Sequence, residues 1–131
     1  FKMENSLKTN KKANSIDVVA CVKILEDCVS FEHIEDGAYI KKQLMLLNSS
    51  MKGLPEEVSA ELKMFVNEEI NPIISDSDYF DFLQDEQYGE YDANGRFCIK
   101  SEEAMEKMIA ALYQHTLILN LKLFRKISQY I

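Results

Sequence analysis

Apolar residues recur every three or four positions along most of this chain, which is the spacing that gives an α-helix one apolar face. The pattern occupies residues 16–30, 37–51, 55–71 and 101–131. The first three apolar stripes are Val18, Cys21, Val22, Leu25, Cys28 and Val29; then Tyr39, Ile40, Leu44, Leu47 and Met51; then Val58, Leu62, Phe65, Val66 and Ile70. The pattern therefore predicts a predominantly helical protein.

Capping residues and helix breakers mark the boundaries of the first three helices. Ser15 can cap the first helix, which should end between residues 30 and 35. Asp36 precedes Gly37 at the start of the second helix, and Pro55 suits the first position of the third. Asn71 is followed by Pro72, which disfavours helical backbone at the residue before it. We therefore expect the third helix to stop there.

A short fourth helix and a long fifth one are predicted after that point. Ser75 or Asp76 can cap the fourth, whose apolar residues are Tyr79, Phe80, Phe82 and Leu83. Ser101 is a suitable N-cap for the fifth, which continues to the end of the chain without glycine or proline. This last helix is apolar nearly all round, and such helices lie in the middle of a bundle.

Composition agrees with one helical domain. The chain has 131 residues, of which 47% are hydrophobic, and it contains only four glycines and two prolines. A chain of this length buries enough surface for one ordinary core. We predict a flexible basic tail over residues 1–14 and a single domain over residues 15–131. The domain should be a bundle of about five helices around the long C-terminal helix, with a small β-hairpin near residues 88–99.

The segment EYDANGRFCIKSEE, residues 90–103, resembles either a calcium loop or a hairpin. With Glu90 as the first ligand, Asp92, Asn94 and Gly95 fall at the third, fifth and sixth positions of an EF-hand loop. The twelfth position, which needs a bidentate glutamate, is Ser101. Asn94 followed by Gly95 is also a strong signal for a two-residue hairpin turn. We predict the hairpin and no metal or other cofactor.

Charge restricts the class of partner. The net charge is −7, and because residues 1–12 contain four lysines and one glutamate, the remainder carries −10. An acidic body of this kind repels phosphate, so we expect no direct nucleic-acid binding and no membrane association. A basic protein is the expected partner. The oligomeric state does not follow from the sequence. Three cysteines without a CxxC pair suggest reduced thiols and a cytoplasmic location.

Sequence motifs for catalysis are weak. Cys28 and His33 are close in sequence, but the acidic residues around them disfavour a thiolate. Neither histidine has a glutamate three residues before it, as the carboxylate metal sites of helical bundles require. There is no glycine-rich phosphate loop. We therefore predict that the protein is not an enzyme, with a small enzyme built around His33 or His115 as the third hypothesis.

The segment from Ser75 to Gly95 has the most distinctive composition, because it combines seven acidic residues with aromatic ones and contains no lysine or arginine. One interpretation is a solvated acidic face from which Phe80 or Phe82 enters the core. The other is a binding surface on which tyrosines supply contact area and carboxylates attract a basic partner. The predicted partner-binding residues are Asp76, Asp78, Tyr79, Asp81, Asp85, Glu86, Tyr88, Glu90, Tyr91 and Asp92.

Two functional hypotheses therefore rank above the enzyme hypothesis. The first is a protein-binding module that uses this acidic, tyrosine-rich face, for example an immunity protein or another inhibitor. Its tyrosine anchors would be Tyr79, Tyr88 and Tyr91. The second is a helical regulatory or assembly subunit that binds its partner through an apolar groove beside the last helix. Salt should weaken the first kind of binding and hardly affect the second.

Overall fold

The computed structural model describes residues 17–130. The predicted tail over residues 1–14, the cap Ser15 and the helix start at Ile16 lie outside these residues. The described part of helix α1 covers residues 17–28, and a series of turns follows over residues 29–35. The remaining α-helices are α2 (Gly37–Ser50), α3 (Glu56–Phe65), α4 (Asn71–Ser75) and α5 (Glu102–Ile127).

Helices α2 and α5 begin after the residues that the sequence predicts, Asp36 and Ser101, and each of these residues caps its helix. The Asp36 carboxylate accepts a hydrogen bond from the Tyr39 backbone N–H at 3.1 Å. The Ser101 hydroxyl accepts one from the Ala104 N–H at 3.0 Å. Each bond satisfies one of the N–H groups that have no partner inside the helix. Helix α1 ends at Cys28, two residues before the range from 30 to 35 in which the sequence predicts its end.

The predicted stop at Asn71 and Pro72 is wrong. A π-helical turn, Val66–Ile70, joins α3 to α4 without a break, and Pro72 lies in the first turn of α4. The Asn71 N–H donates to the Val66 carbonyl, five residues back. After this wider turn, α4 begins at Asn71, immediately before Pro72. The missing N–H of the proline therefore falls in a first helical turn, where it costs least.

Counted with this continuous helix, the described chain has four helices and a hairpin. The predicted short fourth helix is a 3-10 helix, Tyr79–Leu83. Two further 3-10 turns are Met51–Gly53, after α2, and Ser128–Tyr130, after α5. The predicted fold class is confirmed: a mostly helical domain with a long C-terminal helix and a small β-hairpin.

Strands β1 (Gly89–Tyr91) and β2 (Phe97–Ile99) form the hairpin, with Glu90 opposite Cys98. Its turn differs from the predicted two-residue form. The Asp92 N–H donates to the Arg96 carbonyl at 2.8 Å, so three residues form the loop. Gly95 has φ +78 and is the only described residue, glycine or not, with positive φ. A three-residue loop with glycine in the left-handed region is the next commonest hairpin connection.

The hydrophobic core forms where one face of each helix packs against the other helices. Helices α3 and α5 pack against each other, and α2 packs against α4. The 3-10 helix and β2 also contact α5. The largest side chains with essentially no exposure are Phe65, Leu25, Ile34, Ile40, Leu47, Leu62, Ile70, Leu119, Leu123 and Ile127. These residues come from α1, α2, α3, the π-helical turn, α5 and the turns after α1, and Ile73 of α4 is buried with them, so one core holds all the helices together.

Helix α5 is not covered on all sides by the described residues, contrary to the prediction from its apolar composition. It buries one stripe, which includes Leu112, Thr116, Leu119 and Leu123. A second row of large apolar side chains on the same helix stays exposed.

Candidate protein-binding surface

The acidic segment is held on the domain by two buried side chains and a backbone hydrogen bond. Leu83 is 6% exposed and belongs to the core, and Tyr88 is 7% exposed. The Lys100 N–H donates to the Tyr88 carbonyl at 2.9 Å, immediately before α5 begins. The 3-10 helix and the hairpin are therefore fixed against α5, and the polar residues between them face solvent.

All seven predicted carboxylate residues are exposed, and none of them forms an ion pair with a described residue. They are Asp76, Asp78, Asp81, Asp85, Glu86, Glu90 and Asp92. We call this set, with the side chains between them, the acidic surface. Its negative charge is not neutralised within the described part of the chain, so its field extends into solvent.

Three of these aspartates also shape the backbone. Asp76 accepts a hydrogen bond from the Asp78 N–H at 2.9 Å, and Asp85 accepts one from the Gln87 N–H at 3.0 Å. Asp92 accepts from the N–H groups of Asn94 and Arg96 at 2.8 and 2.9 Å. Aspartate is favoured in turns for this reason. Part of the acidic composition is therefore explained by turn formation alone.

The three predicted tyrosine anchors differ in exposure. Tyr88 is buried, so the prediction of an exposed contact is wrong for it. Tyr79 is half-buried, and its hydroxyl bonds to His115. Tyr91 is 58% exposed. Its hydroxyl donates to Gln84 at 2.7 Å, so Tyr91 is the one anchor of the three that reaches solvent with most of its ring.

Phe82 is an exposed aromatic residue of this surface that sequence reasoning had treated as a core candidate. It is 42% exposed, whereas Phe80 is half-buried against the core. In a 3-10 helix, residues three apart lie on one face. Phe80 and Leu83 therefore share the buried face, and Tyr79 shares the other with Phe82. Recognising the segment as 3-10 would have predicted this division.

A groove of about 360 Å³ lies beside Tyr91. It is lined by Gln84, Glu86, Gly89, Glu90, Tyr91 and Phe97. The Tyr91 ring meets the Phe97 ring edge-on, with centroids 5.4 Å apart, which fixes the position of one wall. Two carboxylates and an aromatic ring form a site suited to a lysine or arginine side chain, by ion pairing and cation–π contact.

A second polar cluster joins the 3-10 helix to α5. The Tyr79 hydroxyl lies 2.6 Å from Nε2 of His115, and the Lys122 ammonium pairs with Glu69 at 3.2 Å. Burial raises the pKa of Tyr79 to about 12, with Glu69 adding to the effect. Burial and then Lys122 lower the pKa of His115. His115 is thus within reach of a polar partner, as the enzyme hypothesis requires, but that partner holds its proton tightly.

The surroundings of His33, Cys21 and Cys28 also bear on the enzyme hypothesis. The Tyr39 hydroxyl donates to Asp27, and this bond raises the tyrosine pKa to about 12. His33 stacks on the Tyr39 ring at 3.9 Å. Burial raises the pKa of Cys21, and it raises that of Cys28 to about 12. Both thiols are therefore protonated at neutral pH, which is unfavourable for a nucleophile.

Residues 17–130 contain neither a cluster of metal-ligating side chains nor a membrane-spanning helix. No group of three or more His, Cys, Asp or Glu side chains there could hold an ion. Glu90, the first ligand of the rejected calcium loop, lies in β1, and an Asp92 oxygen accepts two backbone bonds. Of the helices described, none is both long and apolar enough to cross a membrane.

An apolar groove lies between α2 and the helix formed by α3 and the π-helical turn, whereas the second hypothesis predicts one beside α5. It has a volume of about 360 Å³ and is lined by Leu44, Leu47, Asn48, Met51, Lys63, Val66, Asn67 and Asn71. Helix α5 contributes to a smaller polar groove together with Gln87 and Lys100.

Comparison with protein-family models, with curated proteins and with solved structures gives no match to this chain.

Proposed function

We propose that this protein is a non-enzymatic binding module that captures a basic protein through the acidic surface. The observation that supports this most is the set of seven exposed carboxylates without an ion-pair partner among the described residues. Unpaired like charges repel one another, and a basic partner would relieve that repulsion. Three turn-forming aspartates account for only part of the set.

Charge attracts a partner over a distance, and Tyr91 with the groove beside it provides the packing contact at short range. A basic side chain of the partner would enter between Glu86 and Glu90 and pack on the Tyr91 ring. Tyr91 is already held by Gln84 and Phe97, so little side-chain entropy is lost on binding. Phe82 extends the exposed aromatic area. In this proposal, Tyr91 remains an anchor and Phe82 takes the place of Tyr79 and Tyr88.

Blocking a basic surface is the mechanism of an inhibitor or immunity protein, and that is the role we assign. The carboxylates increase the association rate, and the aromatic anchors slow dissociation. The three free thiols suit a reducing compartment, so we assign the protein to the cytoplasm.

The test begins with affinity capture from the native host at low salt and identification of bound proteins by mass spectrometry. Association and dissociation rates are then measured with the identified partner at several salt concentrations. Glu86→Lys and Glu90→Lys should each lower the association rate, and Tyr91→Ala should raise the dissociation rate about tenfold or more.

Glu35→Lys is the matched control, because Glu35 is an exposed carboxylate in the turn between α1 and α2. It changes net charge equally and should alter binding only slightly. The proposal would be overturned if Glu35→Lys and Glu90→Lys lowered the association rate equally. It would also be overturned if Tyr91→Ala left the dissociation rate unchanged. The apolar groove between α2 and α3 would then be the surface to test.

A further inference from the structure

Helix α5 carries a row of exposed apolar side chains beside its buried stripe. Ile109, Tyr113, Leu117 and Leu121 follow one another at intervals of four residues, and Phe124 comes three later. Their exposed fractions are 45%, 53%, 46%, 57% and 43% in that order. Residues four apart on a helix form a ridge, which is the surface feature that packs against another helix. We call this row the α5 ridge.

The ridge is large for the surface of a monomer. It extends over about 22 Å of helix at 1.5 Å per residue. Phe31 widens it, since its ring meets that of Tyr113 edge-on at 6.0 Å. If each of these six side chains has roughly 200 Å² of surface when free, half exposure leaves about 600 Å². A patch of this size is at the upper end of what a typical monomer exposes, and such patches are often functional.

Charges along α5 indicate what covers the ridge. Glu102, Glu103 and Glu106 lie toward the N-terminal end, and Lys122, Arg125 and Lys126 lie toward the C-terminal end. Lys122 and Lys126 pair with glutamates of the π-helical turn, and Lys107 pairs with Glu103. Glu106 and Arg125 are both exposed and form no ion pair with other described residues.

A second copy of α5 in the antiparallel direction complements both features at once. If Ile109 faces Leu121 and Tyr113 faces Leu117, the same alignment brings Glu106 opposite Arg125 at each end. The two-fold axis makes every contact occur twice. We propose that the chain forms an antiparallel homodimer through the α5 ridge, with Glu106 and Arg125 pairing across the interface.

The dimer is compatible with the acidic surface and goes beyond it. His115, which packs against Phe82, is nine residues from Phe124. At 3.6 residues per turn this is two and a half turns, so the two residues lie on opposite sides of α5. The roughly 600 Å² of apolar surface with a polar border approaches the about 800 Å² per partner of a standard interface. The dimer would therefore present two acidic surfaces facing outward.

Sedimentation equilibrium of the full chain tests the association directly. We expect the chain to dimerise with a dissociation constant below about 500 µM. Leu117→Asp and Leu121→Asp should each raise that dissociation constant at least about tenfold. Leu46→Asp is the control, because Leu46 is 55% exposed on α2. It should leave the dimer intact. Circular dichroism confirms that each variant is folded.

A charge exchange tests the direction of packing. Glu106→Lys and Arg125→Glu should each weaken the dimer, and the double variant E106K/R125E should restore it, because the exchanged pair again has opposite charges. Failure of the double variant to restore association would overturn the antiparallel arrangement.

Two further outcomes would overturn the proposal as a whole. One is a monomer at every concentration up to about 500 µM. The other is a monomer that dimerises only after deletion of residues 1–16, which would make the N-terminal segment the occupant of the ridge. Neither outcome affects the test of the acidic surface, which depends on Glu86, Glu90 and Tyr91.

Discussion

The hydroxyl of Tyr79 lies 2.6 Å from Nε2 of His115, and this contact joins the 3-10 helix to α5 across 36 residues of sequence. Burial raises the pKa of Tyr79 to about 12, and burial lowers the pKa of His115, so both groups are neutral at pH 7. The Tyr79 O–H can then donate to an unprotonated Nε2. This half-buried hydrogen bond fixes one end of the acidic surface.

The lowered pKa of His115 makes stability depend on pH. The unfolded chain binds a proton on this residue near its ordinary pKa of 6.5, and the folded chain does so only at lower pH. The contribution of His115 is therefore full above pH 6.5 and is lost as pH falls through the folded pKa. The free energy of unfolding of the native protein should decrease more steeply from pH 7 to pH 5 than that of His115→Gln. Parallel curves from urea denaturation would contradict this.

Removing the Tyr79 hydroxyl should cost more than removing an exposed one. Tyr79→Phe keeps the ring but leaves Nε2 of His115 without this partner, which should lower the free energy of unfolding by about 1–3 kcal/mol. Tyr91→Phe is the matched control. Its hydroxyl bonds to Gln84 in an exposed position, where water replaces the lost partner. We expect a change within about 0.5 kcal/mol. Equal losses in thermal and urea unfolding would argue against a special role for the Tyr79 bond.

Gly89 allows β1 to approach β2 closely. A Cβ atom added there would lie 2.0 Å from the Cys98 carbonyl oxygen, which is backbone and cannot turn aside. Gly89→Ala should lower the free energy of unfolding by about 1–3 kcal/mol, since the strands must separate. Gly37 at the start of α2 has nothing within 4 Å of the same added atom. Gly37→Ala should be neutral or stabilising, and a loss as large as that of Gly89→Ala would refute the steric argument.

The three cysteines should differ sharply in reactivity. Cys98 is exposed, whereas Cys21 and Cys28 are fully buried and have raised thiol pKa values. A thiol reagent at pH 8 should modify one cysteine rapidly in the folded protein and all three in denaturant. Cys98→Ser should abolish the rapid phase. Rapid modification of two or three thiols without denaturant would show that the α1 part of the core opens easily.

Local signals were enough to predict much of the fold. Ser101 and Asp36 begin helices through bonds to residues three positions later, and Gly95 turns the chain between adjacent strands. Each of these depends on near neighbours only, so each is visible in the sequence. The apolar stripes of α1, α2 and α3 predicted most of the core for the same reason.

The features that sequence reasoning missed depend on distant residues or on an unusual helical phase. Tyr88 is buried because the hairpin folds back toward α5, which its acidic neighbours do not reveal. The apolar composition of α5 predicts that its ridge is buried, because composition does not show how many helices are available to cover it. The π-helical turn appears only in the burial pattern: the buried positions Phe65 and Ile70 are five apart, but Val66 stands four residues before Ile70 and makes the sequence spacing look regular.

That five-residue step makes chain length between α3 and α4 a determinant of orientation. An α-helix turns by about 100° per residue, so deletion of one residue within Val66–Ile70 would rotate everything that follows relative to α3. Ile73 would leave the core, and the 3-10 helix with its aspartates would point in a new direction relative to α5. A substitution on the solvated side of this segment would leave that orientation unchanged, whereas a single-residue insertion or deletion there would alter it. The direction in which the negative charge faces is thus set by the number of residues in one turn of helix.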